Sequence, residues 1–566
     1  MTTSRKPIYE HWLALLLFLG VGVFGYLLKA VDAFHATPGD LIDARFNSVI
    51  LEHLYNWLRH GLNGNWTDIW SPAFFFPYQN VLAFSDNHFG TAFSYVLVRS
   101  IGLSREISFS AWYAIGFSLN FGCSYLVFKR FRFSTFASSA AAFVFTFALP
   151  VIAQDGHSQF SYRFAIPFAF LALWNFAFER NLRSVAWLAF WTSLQFLCSI
   201  YMGVFLFIFL ATCWLPMSLI IKNNSETSVT EVQRINILKS NWIYLALLIV
   251  SILVSLTVVM KYQVVSQQYG FTSDPWEINQ MIPRLESYLI ADRSELTGFI
   301  GEALAENLSK SPYRSEHQLF LGVGVMIFLL LGTYFCWASK LSRMSHPNPI
   351  QIQLGKIACI ALITLFLGTL MYGVGSIWIS LTIIPGLNAI RAVTRVILIM
   401  IFPVSIMVAI ACEKLYLRQA ISTGPKKTAL IIGTAILLCS ETLFFQNSKT
   451  PIEAWSQRNQ ILGNGLETPL KKDSILFVVK DEKNPGYELP EVDAMIFAQD
   501  RGIPTINGYS GKFPPGNDHK PIERCISAQE RLSSYAKFTG AESDSTIVPL
   551  TKKIITTPNI SCGSIK

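Results

Sequence analysis

Charge is what this sequence has least of. Only 14% of its 566 residues are Asp, Glu, Lys or Arg, well short of the roughly one quarter usual in soluble domains. Zinc-binding spacing such as HExxH is absent, and the nine cysteines include no CxxC pair, which argues against metal-bound zinc catalysis. Repeats at solenoid spacing are missing, as is the two-half similarity that many transporters carry. No small-residue cleavage site follows the first apolar run within Tyr26 to Ala36. That run, His11 to Leu28 behind Arg5 and Lys6, is therefore expected to remain as a first span with a cytoplasmic N-terminus.

What the chain has in excess is apolar sequence, 52% of the whole, in runs long enough to cross a bilayer. The expectation is a multi-pass membrane protein. Further spans are predicted at Ala111–Phe128, Thr135–Ile152, Phe164–Phe178, Val185–Ile200, Gly203–Ile221, Trp242–Met260, Leu319–Trp337, Ile357–Tyr372, Val396–Cys412 and Ala429–Phe445, about eleven in all. The net charge of +9 follows the positive-inside pattern of short Lys/Arg loops rather than a patch for nucleic acid, which is not an expected partner. Gly90–Ile101 is apolar but short. If it crossed, Lys129, Arg130, Arg180 and Arg183 would fall outside; a re-entrant or juxtamembrane helix keeps them all cytoplasmic. Trp66, Trp70, Phe74, Phe75, Phe76 and Tyr78 just before it suit an interface.

That parity gathers polar segments on the outer side. The first loop, 32–105, has a polar part from Asp32 to His88 that holds Asp40, Asp43, Arg45 and Phe84 to Gly90 (FSDNHFG). The others are Gln154 to Arg163, Lys261 to Gln318, and Pro385 to Arg395. Asp40 and Asp43 would share a face if their stretch is helical, and their repulsion would raise one pKa or be relieved by a cation. Arg391 and Arg395, four apart where a span begins, suit a phosphate. The alternative is a pair of snorkelling anchors, less expected on an outer face. His88 and His157 read as hydrogen-bonding loop residues before they read as metal ligands.

The runs GDLIDARFNSVILEH, FFFPYQNVLAFSDNHFG, DGHSQFSYRFAIPF and PGLNAIRAVTR together resemble bacterial polytopic proteins of the GT-C glycosyltransferase superfamily, over roughly Tyr9 to Phe445. The resemblance implies a mainly α transmembrane bundle with juxtamembrane helices in the first external loop, in the bacterial inner membrane. It implies transfer of a sugar from a polyprenyl-phosphate donor, among membrane lipids, to a glycan, lipid or protein acceptor. Asp40 is the expected general base and Asp43 the second choice. Arg391, Arg395 and Arg163 are expected at the donor phosphate, and Asp86, His88, His157, Gln159 and Glu316 at sugar or acceptor. A divalent cation, Mg or Mn, held by Asp40 and Asp43 stays open. A lipid-linked glycan flippase, a polysaccharide polymerase or ligase, and a structural or receptor protein are the alternatives.

Beyond the membrane part, 1–446, the composition turns polar over 447–566, predicting a small extracytoplasmic α/β domain. Ser474–Lys480 and Ile503–Gly508 read as strands and Val492–Gly502 as a helix ending at glycine. Tyr509–Asn517 is a turn-rich loop whose aromatics could stack on sugar. Seven cysteines lie in or beside predicted spans. The other two, Cys525 and Cys562, are expected to pair in an oxidising compartment, stabilising by about 3 to 4 kcal/mol.

Overall fold

The computed structural model describes residues 8–224, 242–337, 348–373, 375–384, 386–418, 424–466, 470–479, 488–517, 527–541, 550 and 554–557. Cys525 and Cys562, and so their expected disulfide, lie outside these residues.

Helices dominate. Among the described residues six are long and apolar enough to cross a membrane: Trp12–Ala30, Thr135–Ile152, Ile200–Ile220, Trp242–Tyr269, Pro349–Thr369 and Val393–Arg418. Two shorter apolar helices, Ala165–Glu179 and Val323–Trp337, have 15 residues each, about 22 Å against a hydrocarbon core of about 30 Å. The remaining expected spans coincide with helices Arg105–Arg130, Leu182–Cys198 and Gly424–Leu443. Gly90–Ile101 holds a nine-residue helix, Ala92–Ser100, about 13 Å long and too short to cross.

Burial sorts these helices. Within Val393–Arg418 the best apolar window is 100% buried, whereas in Trp242–Tyr269 only 11% is. A helix apolar on every side belongs either in a core or in lipid, and the two extremes correspond to those two environments. Close approach depends on small residues. A Cβ on Gly332 would sit 2.2 Å from the Met407 carbonyl oxygen, and one on Gly324 1.9 Å from that of Leu437, so only glycine lets these backbones touch.

The bundle has two chemically distinct ends. Helix Thr135–Phe147 starts where the Ser134 amide donates to Glu413 Oε2 (2.8 Å); nearby Gln351 Nε2 donates to the Arg132 carbonyl (3.1 Å). At this end Lys129 and Lys414 lie beside Glu413, with Arg418 close to Lys414. At the other end, strand Ala36–Pro38 pairs antiparallel with Lys449–Pro451, joining the first loop to the segment after the last apolar helix.

Of the C-terminal expectations, Ile475–Val478 is a strand, paired in parallel with Ile554–Thr557, and Thr505 forms a parallel bridge to Leu476. Helix Leu489–Arg501 stops at Gly502, whose φ of +65° suits a glycine C-terminal cap. This segment packs into the first loop rather than standing apart. The amides of Phe75 and Phe76 donate to the carbonyls of Asn507 and Thr505 (2.9 Å each). Asp493 joins buried Arg45 (2.5 Å) and, through a bidentate pair, Arg458.

Candidate functional site

Two aspartates open the site at the start of helix Asp43–Leu62. Asp40 Oδ1 accepts from the amides of Ile42 (3.0 Å) and Ala44 (3.2 Å), satisfying helix-start donors that have no intrahelical partner. Asp40 thus precedes the helix and Asp43 begins it, so the two do not share a helix face as the spacing suggested. Gly39 makes the entry possible: its φ is +82°, and a Cβ there would meet the Asp155 carbonyl oxygen at 2.8 Å. Asp40 is exposed. Partial desolvation, then the Asp43 charge, raise its pKa above the ordinary value, against the lowering by the two amides and His157.

Asp43 is held from two sides. Its Oδ1 accepts the Tyr509 hydroxyl (2.7 Å), and its Oδ2 lies 3.8 Å from His157 Nε2. Burial and the Asp43 carboxylate push the Tyr509 hydroxyl up, which keeps it a donor. The same His157 nitrogen is 3.7 Å from Glu316 Oε1, and its ring stacks on Phe160, 6.0 Å between centroids. Glu316 takes a bidentate grip from Arg395, Nε to Oε2 at 3.0 Å and Nη2 to Oε1 at 2.5 Å. Burial alone would raise the Glu316 carboxyl, but the Arg395 and His157 charges override it and hold it at about 2.

The two arginines part company. The stretch before Ile397 is a short 3-10 turn, Val393–Val396, so Arg391 and Arg395 do not line one α-helical face. Arg395 is buried under Phe160 and Tyr201 (4.9 and 5.2 Å to the ring centroids), its charge already answered by Glu316. The Arg391 side chain is 39% exposed and bonds Glu277 Oε1 through Nη1 at 2.9 Å. Lys512 of the C-terminal segment reaches the same neighbourhood, donating to the Thr272 carbonyl at 2.7 Å.

Other expected site residues lie behind the aspartate turn or away from it. His88 is fully buried and burial pushes its pKa down to about 3, leaving a neutral ring between Asn47 Oδ1 (2.8 Å) and Thr91 Oγ1 (3.2 Å). Asn47 Nδ2 in turn donates to Gln159 Oε1 (3.2 Å) and the Asp43 carbonyl (2.8 Å), a chain that orients the aspartate turn. Asp86 caps the helix Ile200–Asn224, accepting from the Ile200 amide (2.9 Å) and the Ser199 hydroxyl (3.2 Å). Arg163 is completely buried and donates to the carbonyls of Leu398 (3.2 Å) and Phe145 (2.8 Å). Asp86, His88 and Arg163 are therefore bound to the scaffold rather than gathered with Asp40, Asp43, His157 and Glu316.

A resident divalent ion fits poorly. Asp40 Oδ1 and Asp43 Oδ1 are already bound by amide and hydroxyl donors, and no group of three His, Cys, Asp or Glu able to hold a metal occurs among the described residues.

Tyr509, Glu277, Lys512 and Asn47 escaped sequence reasoning as site residues. Only Tyr509 left a trace, as an aromatic in a turn-rich loop. The chain matches no protein-family model and none of the curated proteins.

Proposed function

We propose that the protein is a membrane glycosyltransferase of GT-C type, a bundle of about eleven spans with an α/β segment over its active face. It moves a sugar from a polyprenyl-phosphate donor to a glycan, lipid or protein acceptor on the extracytoplasmic side. The observation that carries the reading is the convergence of Asp40, Asp43, His157, Glu316, Arg395 and Arg391 at the bundle end opposite Glu413 and its basic neighbours. Carboxylates beside a partly exposed guanidinium, that of Arg391, are what glycosyl transfer from a phosphate needs.

Asp40 is the base. Its Oδ1 is fixed by the helix amides, so Oδ2 takes the proton of the acceptor hydroxyl as that oxygen bonds the anomeric carbon. The bond from that carbon to the phosphate oxygen breaks, and Arg391 stabilises the departing phosphate. Arg395, neutralised by Glu316, is a positioning residue: it fixes Glu316 and hence the carboxylate that His157 faces. Asp43, tied to Tyr509 and His157, shapes the field around Asp40.

The test is transfer of radiolabelled sugar from a pool of polyprenyl-phosphate donors by purified protein in lipid nanodiscs. Asp40→Asn should lose about 100-fold or more with folding intact, and Asp43→Asn less. Absence of transfer by the wild type from every donor would sink the reading.

A further inference from the structure

We propose that a groove at the end of the first long apolar helix binds the anionic headgroup of a membrane phospholipid. The groove measures about 400 Å³, within the range of small-ligand sites, and lies at the bundle end that carries the aspartates. Its apolar part is Phe24, 71% exposed, and Leu28, on a candidate membrane span. Its polar part is Lys29, Asp32, Asn447 and Lys449. An apolar wall beneath two ammonium groups is complementary to an acyl chain beneath a phosphate diester.

Three observations favour an occupant. Lys29 donates one bond, to the Leu443 carbonyl (3.1 Å), and Lys449 one, to Asp32 Oδ1 (2.8 Å), and each ammonium carries three N–H donors. The backbone beside the lysines is strained: Asp32, Ala33 and Phe34 have φ of +47°, +50° and +71°, and none is glycine. The helix below is π-helical over Val21–Leu27. Such departures persist where the surroundings enforce them and gather at ligand clamps. Lysines at this end also run against the positive-inside tendency of the chain, and an anionic lipid gives them a counter-charge.

The proposal is independent of the transfer chemistry. Native mass spectrometry of the full protein, with phosphatidylglycerol or phosphatidylcholine added to the detergent, reads it directly. Wild type should retain phosphatidylglycerol at least fivefold better than phosphatidylcholine, and Lys29→Gln/Lys449→Gln should abolish the preference. Asp32→Asn, which removes the competing carboxylate, should raise phosphatidylglycerol retention, whereas a purely structural Asp32–Lys449 pair would make it behave like the lysine variant. Equal retention of the two lipids by wild type, or an unchanged preference in the lysine variant, would overturn the proposal. A polyprenyl phosphate probe separates the other source of the same chemistry: its loss in the lysine variant would assign the groove to the donor lipid and overturn the phospholipid assignment.

Discussion

Asp40, the proposed base, meets two opposed demands, since the position that suits that role also makes its charge costly. Its folded pKa lies above the unfolded value, so its contribution to stability is present below the unfolded pKa and is lost as pH rises through the folded one. At neutral pH the ionised carboxylate therefore costs stability. Asp40→Asn keeps an oxygen for the amides of Ile42 and Ala44 and removes the repulsion from Asp43, so its melting temperature in detergent should rise while transfer is lost. The acid limb of kcat/KM should fall above 3.8, the ordinary aspartate value, and move to lower pH in Asp43→Asn. Glu316 behaves oppositely. Its carboxyl is depressed from 4.5 to about 2, so its stabilisation is complete above the unfolded value and is lost as pH falls through the folded one. Glu316→Gln strands the Arg395 charge in a buried site and should cost about 3 kcal/mol or more, read by thermal unfolding. Tyr509→Phe removes one donor to a carboxylate and should slow transfer about tenfold, a change visible in kcat.

At the scale of elements, the junction between helices Asp43–Leu62 and Leu489–Arg501 depends on one buried carboxylate. Asp493 answers both Arg45 and Arg458, and Arg45 is fully buried and also faces the Trp455 ring at 5.4 Å. Asp493→Ala should destabilise by about 3 to 5 kcal/mol, with hydrogen exchange rising first in 488–517. The helices were legible because apolar runs and glycine caps are local signals, as at Gly502. The cap role of Asp86 was not legible, because its partners, Ser199 and Ile200, lie 113 and 114 residues away. Nor was the fate of the two arginines: spacing of four fixes a common face only in an α-helix, and the backbone around Arg395 is a 3-10 turn.

At the scale of the molecule, the pairing of Ala36–Pro38 with Lys449–Pro451 puts both segments on one side of any membrane the bundle crosses. Alkaline phosphatase fused after Pro451 and a cysteine label at the exposed His35, just before the first strand, should therefore report the same compartment, and the proposed topology makes it the extracytoplasmic one. Activity of the fusion on the side opposite to the label would contradict the strand pairing itself.

The sequence by itself determined that this is a helical, membrane-type chain, because apolar run length and the sparseness of charge act locally and need no partner. It also singled out Asp40, Asp43, His157, Glu316 and Arg391 as residues worth weighing. Only the tertiary structure decided which of the chosen polar groups meet and which are occupied: Arg395 by Glu316, His88 by Asn47, Arg163 by carbonyl oxygens. Those pairings join positions from 18 to 235 residues apart, and a buried polar group takes whatever partner packing delivers, which no local pattern encodes.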